Sequence, residues 1–465
     1  MKTLSEGAVN NLKKSVRGPV IQPKDSNYDE VRRIWNGMID RHPALIVQCL
    51  EARDVAPAIR FAREQNLEIS VRGAGHNIAG NALTEGGLMI DFSKMKKVRV
   101  DPQNKRAFVQ PGATLNDVDA TTQAYGLATP LGINSTTGVA GLTLGGGFGW
   151  LTRQYGFTID NLISAKVVTA DGQHLTASNK ENKDLFWAIR GGGGNFGIIT
   201  EFEFALHEVG PEIYGGLLVF PLEQARHVME QYREFVRSAP LESTTLAILR
   251  QAPPLPFLPE DVHGKEVIVL ATFYNGDVEK GDDLANYLRK FGKPVGEHLG
   301  VQPYVQWQQA FDPLLTPGAR NYWKSHNLTR LSDGLITSTL EYAKKMPSPH
   351  CEILFGYIAG VFNKIATDAM AFAHRDTQYI MNVHGRWEDP KQDNQCITWS
   401  RNLFEASKPF ASAGVYVNFM TEDEVDRVIS AYGSNYERLV QLKQKYDPDN
   451  LFHLNQNIKP KLMAK

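Results

Sequence analysis

The chain has 465 residues, 42% hydrophobic and 22% charged, which gives it ample material for a buried core and length for two or three domains. Its 50 Lys and Arg stand against 51 Asp and Glu, a formal charge of −1, so no bulk field would draw it to nucleic acid or to an anionic membrane, and a small, roughly neutral substrate is expected. The opening MKTLSEGAVNNLKKSVRG lacks the apolar run of a signal peptide and no later stretch approaches a membrane span, so a cytoplasmic location is expected.

In chain order, residues 1–209 alternate strand-like and helical stretches. ALIVQCL reads as a strand, DVAPAIRFAREQN as a helix with Asp54 as its N-cap, and LEISVRGAG as a strand running into a glycine loop, together a βαβ opening. GLMIDFSKM, LISAKVVTADG and FGIITEFEFAL follow as further strands. Residues 210–414 are richer in aromatics and mix the helical LEQARHVMEQYREFVRS with strand-like EVIVLATFYNG and HCEILFGYIAG, which reads as a separate α+β domain. Residues 415–465 carry a helix around 434–445, a DPDN turn and the tail LNQNIKP. Cys49, Cys351 and Cys396 are widely spaced and read as buried thiols; the 12 histidines show no HxH or HExxH spacing, so no metal site is expected.

Three glycine loops carry the chemistry. VRGAGHN at 71–77 leaves a strand with three small residues in a row, so backbone N–H groups can close on an anion. Alone it is compatible with simple turning, and it is not GxGxxG. TGVAGLTLGGGFG at 137–149 lays six glycines where an extended ligand could lie against bare backbone, and RGGGGNFG at 190–197 sets four in succession. In regular structure each glycine costs roughly 1 kcal/mol relative to alanine, so close backbone approach is the better reason for them. Together they point to a long diphosphate-bearing cofactor; the absence of GxxxxGK[ST] removes the main nucleotide-triphosphatase reading.

With VQPGATLNDV, DLFWAIRGGGGNFGIITEFEF and YDPDNLFHLNQNI, these loops form an ordered set that resembles the berberine-bridge-enzyme-like FAD-linked oxidases of the vanillyl-alcohol-oxidase superfamily, over residues 35–460. The resemblance implies an α+β fold. A bipartite PCMH-type FAD-binding domain, residues 1–209 completed by 415–465, would enclose a substrate domain, residues 210–414, whose antiparallel sheet covers the flavin. It implies FAD bonded covalently to His76. No cysteine stands near Asn134, where some relatives make a second bond, so a single attachment is expected. Arg72, Gly73, Ala74, Gly75, Asn77, Ser135, Thr136, Thr137, Gly138, Gly141, Leu142, Gly146, Asp160, Asn161, Ile198, Asn455 and Asn457 would serve the same cofactor. For His76, capping or hydrogen bonding in a loop is the plainer alternative. For Ser135, Thr136, Asp160 and Asn161 it is turn formation, and for the NQN tail the satisfaction of backbone groups.

An oxidase of this kind moves a hydride from substrate carbon to flavin while a base takes the proton from the neighbouring oxygen or nitrogen. In many relatives that base is the second tyrosine of a YxNY strand; here the segment reads Tyr416, Val417, Asn418, Phe419, and phenylalanine has no proton to exchange. Read as a strand, Tyr416 would face away from Phe419. The remaining candidates are Tyr357, Tyr379, Lys324, and the pair Asn382 and His384, two apart on one strand face. Thr137 takes the position where relatives admit or shield dioxygen, and its modest size favours an oxidase with O₂ as acceptor, giving hydrogen peroxide. A dehydrogenase, a monooxygenase-like enzyme, and a non-catalytic flavoprotein such as a coat component remain open. So do the substrate, among alcohols, sugars, amines and phenols, and the oligomeric state.

Overall fold

The computed structural model describes residues 4–412 and 414–461. Two main sheets, and a two-stranded pairing of Leu127–Ala128 with His207–Glu208, form the first part of the chain. In the smaller, Leu45–Gln48 and Ile69–Arg72 each run parallel to Leu88–Asp91, and Val20–Ile21 adds an antiparallel edge. The larger is antiparallel, in the order Val98–Asp101, Arg106–Val109, Ile198–Ala205, Leu162–Val168, His174–Ser178. The parallel pairing follows from the βαβ opening: the helix Val55–Gln65 makes the crossover, with Val55, Ala58, Ile59 and Ala62 buried at helical spacing. Asp54 does not cap that helix as expected. Its carboxylate instead accepts the backbone N–H groups of Arg17 (2.7 Å), Gly18 (3.2 Å) and Leu50 (2.9 Å), fixing the chain entry.

A seven-stranded antiparallel sheet follows, in the order Gly296–Pro303, Glu212–Pro221, Glu266–Tyr274, Ser243–Gln251, Glu352–Tyr357, Tyr379–Trp387, Arg320–Leu328. Its central strands are buried on both faces, but the two faces differ. Phe355, Tyr357, Tyr379, Met381 and Val383 pack against the helix Ala225–Ser238, Leu335 and Ile336 of Asp333–Ala343, and Leu403 of Asp393–Ser407. Strand side chains alternate, so Glu352, Leu354, Asn382 and His384 face the other way, toward the glycine loops. The helix Tyr436–Tyr446 returns the chain to the first sheets through Leu439, Val440 and Leu442. Cys49, Cys351 and Cys396 are buried free thiols, and among the described residues no helix is long and apolar enough to cross a membrane.

Where the helix Leu115–Gln123 meets Tyr304–Gln308, Asp119 is fully buried and accepts a hydrogen bond from Gln308 Nε2 (2.8 Å). Asp119 Oδ1 and Gln308 Oε1, both acceptors when the acid is ionised, have no donor. A proton on the carboxyl removes the stranded charge, and burial, partly opposed by the Gln308 bond, pushes this acid up to about 7. In the unfolded chain it titrates near ~4. The folded state therefore binds the extra proton between those values, so the stabilisation is complete below the lower one and is lost as pH rises through the upper. We expect the urea midpoint to correspond to about 1 kcal/mol less stability at pH 8 than at pH 6 from this site. Asp119→Asn, whose amide is a permanent donor, should flatten the difference; an unaltered pH dependence would refute the assignment.

Candidate active site

The loop 73–77 leaves the strand Ile69–Arg72 and forms one end of a cavity of about 330 Å³. Arg72 does not reach the cavity. It is buried beneath the loop, donating to Asp91 Oδ1 (2.8 Å), to the Arg33 carbonyl (2.9 Å) and to the Val31 carbonyl, and so anchors the loop from behind. Gly73, Ala74, Gly75, His76 and Asn77 line the cavity, as do Thr137, Gly138, Gly141, Leu142, Ile198 and Asn455. Gly138 lies against Ala74, where an added Cβ would come within 2.9 Å of the Ala74 backbone nitrogen, so the two glycine loops can meet only without a side chain there.

The other expected cofactor residues lie elsewhere, each for a local reason. Gly146, at φ +133°, is occluded by the rings of Phe157 and Tyr416. Ser135 gives its hydroxyl to Asp312, and Thr136 gives its own to Asn134 Oδ1 (2.8 Å). Asp160 is locked into a buried ion pair with Arg375 (2.7 Å) and accepts the Phe157 N–H (2.8 Å). Asn161 donates to the carbonyls of Tyr155 and Phe157. Both side chains are thus engaged within the protein, Asp160 by a distant arginine and Asn161 by its own turn. Asn457 stays off the cavity wall, its Oδ1 buried without a partner.

His76 stacks on Trp35 at 4.7 Å between centroids and 22° between planes, with its Nε2 at 3.0 Å from Thr136 Oγ1. Its half-buried ring faces the cavity rather than bulk water, and burial, reinforced by the charge of Arg386, pushes the imidazole down to about 3. It is therefore neutral across the working pH range. The Trp323 ring packs edge-on, its centroid 5.9 Å from that of Trp35 and 4.3 Å from that of His384, so the rings lead from His76 to the wall of the seven-stranded sheet.

On that wall Glu352, His384 and Trp323 are direct cross-strand neighbours. His384 Nδ1 lies 3.1 Å from Glu352 Oε1, and Arg250 donates to Glu352 Oε2 at 3.0 Å. Burial would raise Glu352, but the bond from His384 and the positive charges around it win, holding the carboxylate well below its usual range. Burial takes His384 below its ordinary value although Glu352 pulls it back up. The pair is an ionised acid holding a neutral imidazole by Nδ1–H, which leaves Nε2 as a proton acceptor. Asn321 Oδ1, 3.3 Å from Nε2, stands ready to accept a hydrogen bond once that nitrogen is protonated.

Glu352 was not among the expected residues. Its one sequence signal is an acid at an alternate position in an otherwise apolar strand, CEILFGY. Tyr357, by contrast, faces the helices, its ring tilted against that of Tyr379 at 4.8 Å between centroids, and Lys324 is turned away to Asp423 (2.8 Å) and Glu424 (3.2 Å); none of the three lines the cavity.

Tyr416 does line it, but not as a strand residue. Val417–Phe419 is a 3-10 turn, so Tyr416 and Phe419 fall on the same side, 5.0 Å apart, with Phe148 between them and the sheet. The Tyr416 oxygen accepts the Gly147 N–H (3.0 Å) and Asn418 Nδ2 (3.0 Å), while burial pushes the phenol up to about 12. It remains a protonated phenol, suited to orient rather than to deprotonate. Asn382 Oδ1, Trp323 Nε1 and Asn455 Oδ1 are buried in the walls with no protein partner, which is the signature of groups reserved for a ligand. A glycine-floored bed with unpaired polar groups in its walls fits a dinucleotide with a flat, polar-edged ring.

The FAD binding domain family model matches residues 43–178, and the berberine and berberine-like model matches 415–459. An FAD-linked oxidoreductase of Dictyostelium discoideum is 33% identical over 456 residues, 97% of each chain. The chain belongs to the berberine-bridge-enzyme-like FAD-linked oxidoreductases. Among solved structures of similar fold, 6-hydroxy-D-nicotine oxidase of Arthrobacter nicotinovorans superposes with a TM-score of 0.84 at 26% identity, covering 99% of this chain and 100% of that one. Glucooligosaccharide oxidase of Acremonium strictum, described as carrying a 6-S-cysteinyl, 8α-N1-histidyl FAD, gives 0.86 at 22% identity, covering 98% and 100%. In this berberine-bridge-like oxidoreductase the FAD-binding match and the C-terminal match flank, in chain order, the strands of the large antiparallel sheet.

Proposed function

We propose that this chain is an oxidase that carries FAD on a single covalent bond from His76, oxidises a small organic substrate (an alcohol, sugar, amine or phenol), and passes the electrons to dioxygen as hydrogen peroxide. The observation that supports it most is the row Glu352–His384–Trp323, set across the cavity from a neutral His76 on a glycine-floored bed. Bound FAD supplies a two-electron hydride acceptor, and its attachment to an imidazole makes it a stronger one.

The chain's own residues do the rest. Asn382 and Trp323 offer their unpaired amide oxygen and indole N–H to orient the substrate, and Leu354, Phe148 and Phe419 keep water from its apolar side. His384 Nε2 takes the proton from the substrate's oxygen or nitrogen, and Glu352 stabilises the imidazolium so formed. His384 thereby fills the role that Phe419 cannot, which favours a turning-over enzyme over a non-catalytic flavoprotein. Thr137, short and on the cavity wall, leaves room for dioxygen. On this reading residues 1–209 and 415–465 make the cofactor bed, residues 210–414 make the substrate wall, and no protein, nucleic-acid or membrane partner is needed.

Acid denaturation followed by intact-mass measurement tests the central point. The parent should retain one FAD on the chain and His76→Ala none, with substrate-dependent oxygen uptake giving one peroxide per substrate. A parent that releases all of its FAD in acid would end the covalent reading; bleaching by substrate without oxygen uptake would favour a dehydrogenase.

A further inference from the structure

Asn134 stands where a cysteine would make a second flavin bond in some relatives, and its side chain is not idle. The backbone N–H of Thr136 reaches the Asn134 amide at 3.1 Å, and a main-chain N–H can only donate, so the atom it meets is Oδ1. Oδ1 can only accept. The Thr136 hydroxyl, 2.8 Å from that same oxygen, must therefore send its proton there. What it then presents to His76 Nε2, at 3.0 Å, is a lone pair. Nε2 must carry the hydrogen, and because enclosure by protein keeps the imidazole neutral, Nδ1 is left bare.

We infer that Asn134 and Thr136 are positioning residues that fix the His76 tautomer and thereby select Nδ1 as the nitrogen bonded to the flavin. This rests on the covalent attachment proposed above and adds to it which residues of this chain hold the imidazole with Nδ1 free. The stacked Trp35 ring, held by its Nε1 to the Leu315 carbonyl at 3.0 Å, blocks rotation of the imidazole that would exchange the two nitrogens.

The step balances as follows. A bond forms between Nδ1 and the carbon of a flavin ring methyl group, and one C–H bond of that methyl breaks. The electron pair of the C–H bond remains with the flavin, which is left reduced by two electrons. The methyl proton passes to the reduced ring, while the imidazole keeps its Nε2–H and takes a positive charge that the Thr136 oxygen stabilises. Dioxygen, the oxidant of the proposed reaction, then takes two electrons and the added proton from the reduced ring and a second proton from the imidazolium, which restores the oxidised flavin, leaves a neutral alkylated imidazole and releases hydrogen peroxide.

The test follows covalent FAD by intact mass over time after expression under limited riboflavin and addition of FAD, with the linkage isomer read by proton NMR of the flavin peptide. The parent and Thr136→Ser should attach at the same rate through Nδ1 alone. Thr136→Val and Asn134→Leu should attach about tenfold more slowly, the weight of one lost hydrogen bond, or yield a share of Nε2-linked product. The yellow non-covalent complex reports folding in each, and because the two substitutions remove different members of the chain, either one that folds decides the matter. A Thr136→Val protein that attaches at parental rate and only through Nδ1 overturns the relay while leaving the attachment to His76 intact, as does a parent linked through Nε2. A parent with no covalent flavin overturns both.

Discussion

Replacing His384 by alanine is expected to slow anaerobic bleaching of the bound flavin by about 10²–10⁴-fold, the usual worth of a positioned general base, with any substrate that bleaches the parent. FAD content should not change, because His384 sits on the sheet wall and not in the glycine bed. Glu352→Gln separates orientation from basicity. The carboxylate raises His384 against the lowering caused by burial, so the parent should lose kcat/KM as pH falls through a value below the ordinary histidine range. The glutamine variant should lose it at still lower pH and from a lower plateau, since a weaker base is both harder to protonate and slower to take a proton. An alanine variant that bleaches at the parental rate would remove His384 from the chemistry and return attention to Tyr416.

The second large effect is on stability. Lys443 and Asp447, one turn apart, are fully buried, 2.7 Å from each other. Lys443 Nζ also donates to the carbonyls of Asn195 (2.9 Å) and Phe452 (2.8 Å), and the Asp447 carboxylate accepts the N–H groups of Leu451 and Phe452, both at 2.8 Å. Lys443→Met would leave that carboxylate buried with no counter-charge, a loss of about 3–5 kcal/mol. That is a large part of the roughly 5–15 kcal/mol that holds a typical domain folded. Urea unfolding should show it as a lower midpoint at unchanged slope. The double variant Lys443→Met, Asp447→Asn should recover part of the loss, because no charge is then stranded. A single variant with the parental midpoint would show the pair to be dispensable.

The two substitutions touch features of very different visibility in the sequence. Period-two alternation in TQYIMNVHGRW puts Asn382 and His384 on one face, and the strand Tyr379–Trp387 keeps that phase. The glycine loops read as close backbone contacts because glycine in runs has no better use, and Gly138 against Ala74 is such a contact. Tertiary partners are what local pattern cannot supply. Arg72 stands next to the loop in sequence yet turns to Asp91, and Asp160 is claimed by Arg375, 215 positions away. Glu352 looked like an interruption in an apolar strand until the strands on either side brought His384 and Arg250 to it. Strand alternation predicts Tyr416 and Phe419 on opposite sides, yet they share one, because a three-residue turn and a short strand share composition and only the turn's i to i+3 hydrogen bond, from Phe419 N–H to the Tyr416 carbonyl (3.0 Å), separates them.

Asn195 joins the glycine run to the tail: its Nδ2 donates to the Gln456 carbonyl at 3.2 Å, and its Oδ1 accepts the N–H of Ile458, 263 positions later in the chain. During synthesis the glycine run emerges long before the segment that closes over it, so a nascent chain has a cofactor bed with one side missing. FAD is therefore expected to be captured by the finished polypeptide rather than by the growing one. With the attachment proposed above, bonding to His76 would be a maturation event with its own clock, and cells short of riboflavin should accumulate a folded, colourless precursor that turns yellow when the vitamin returns.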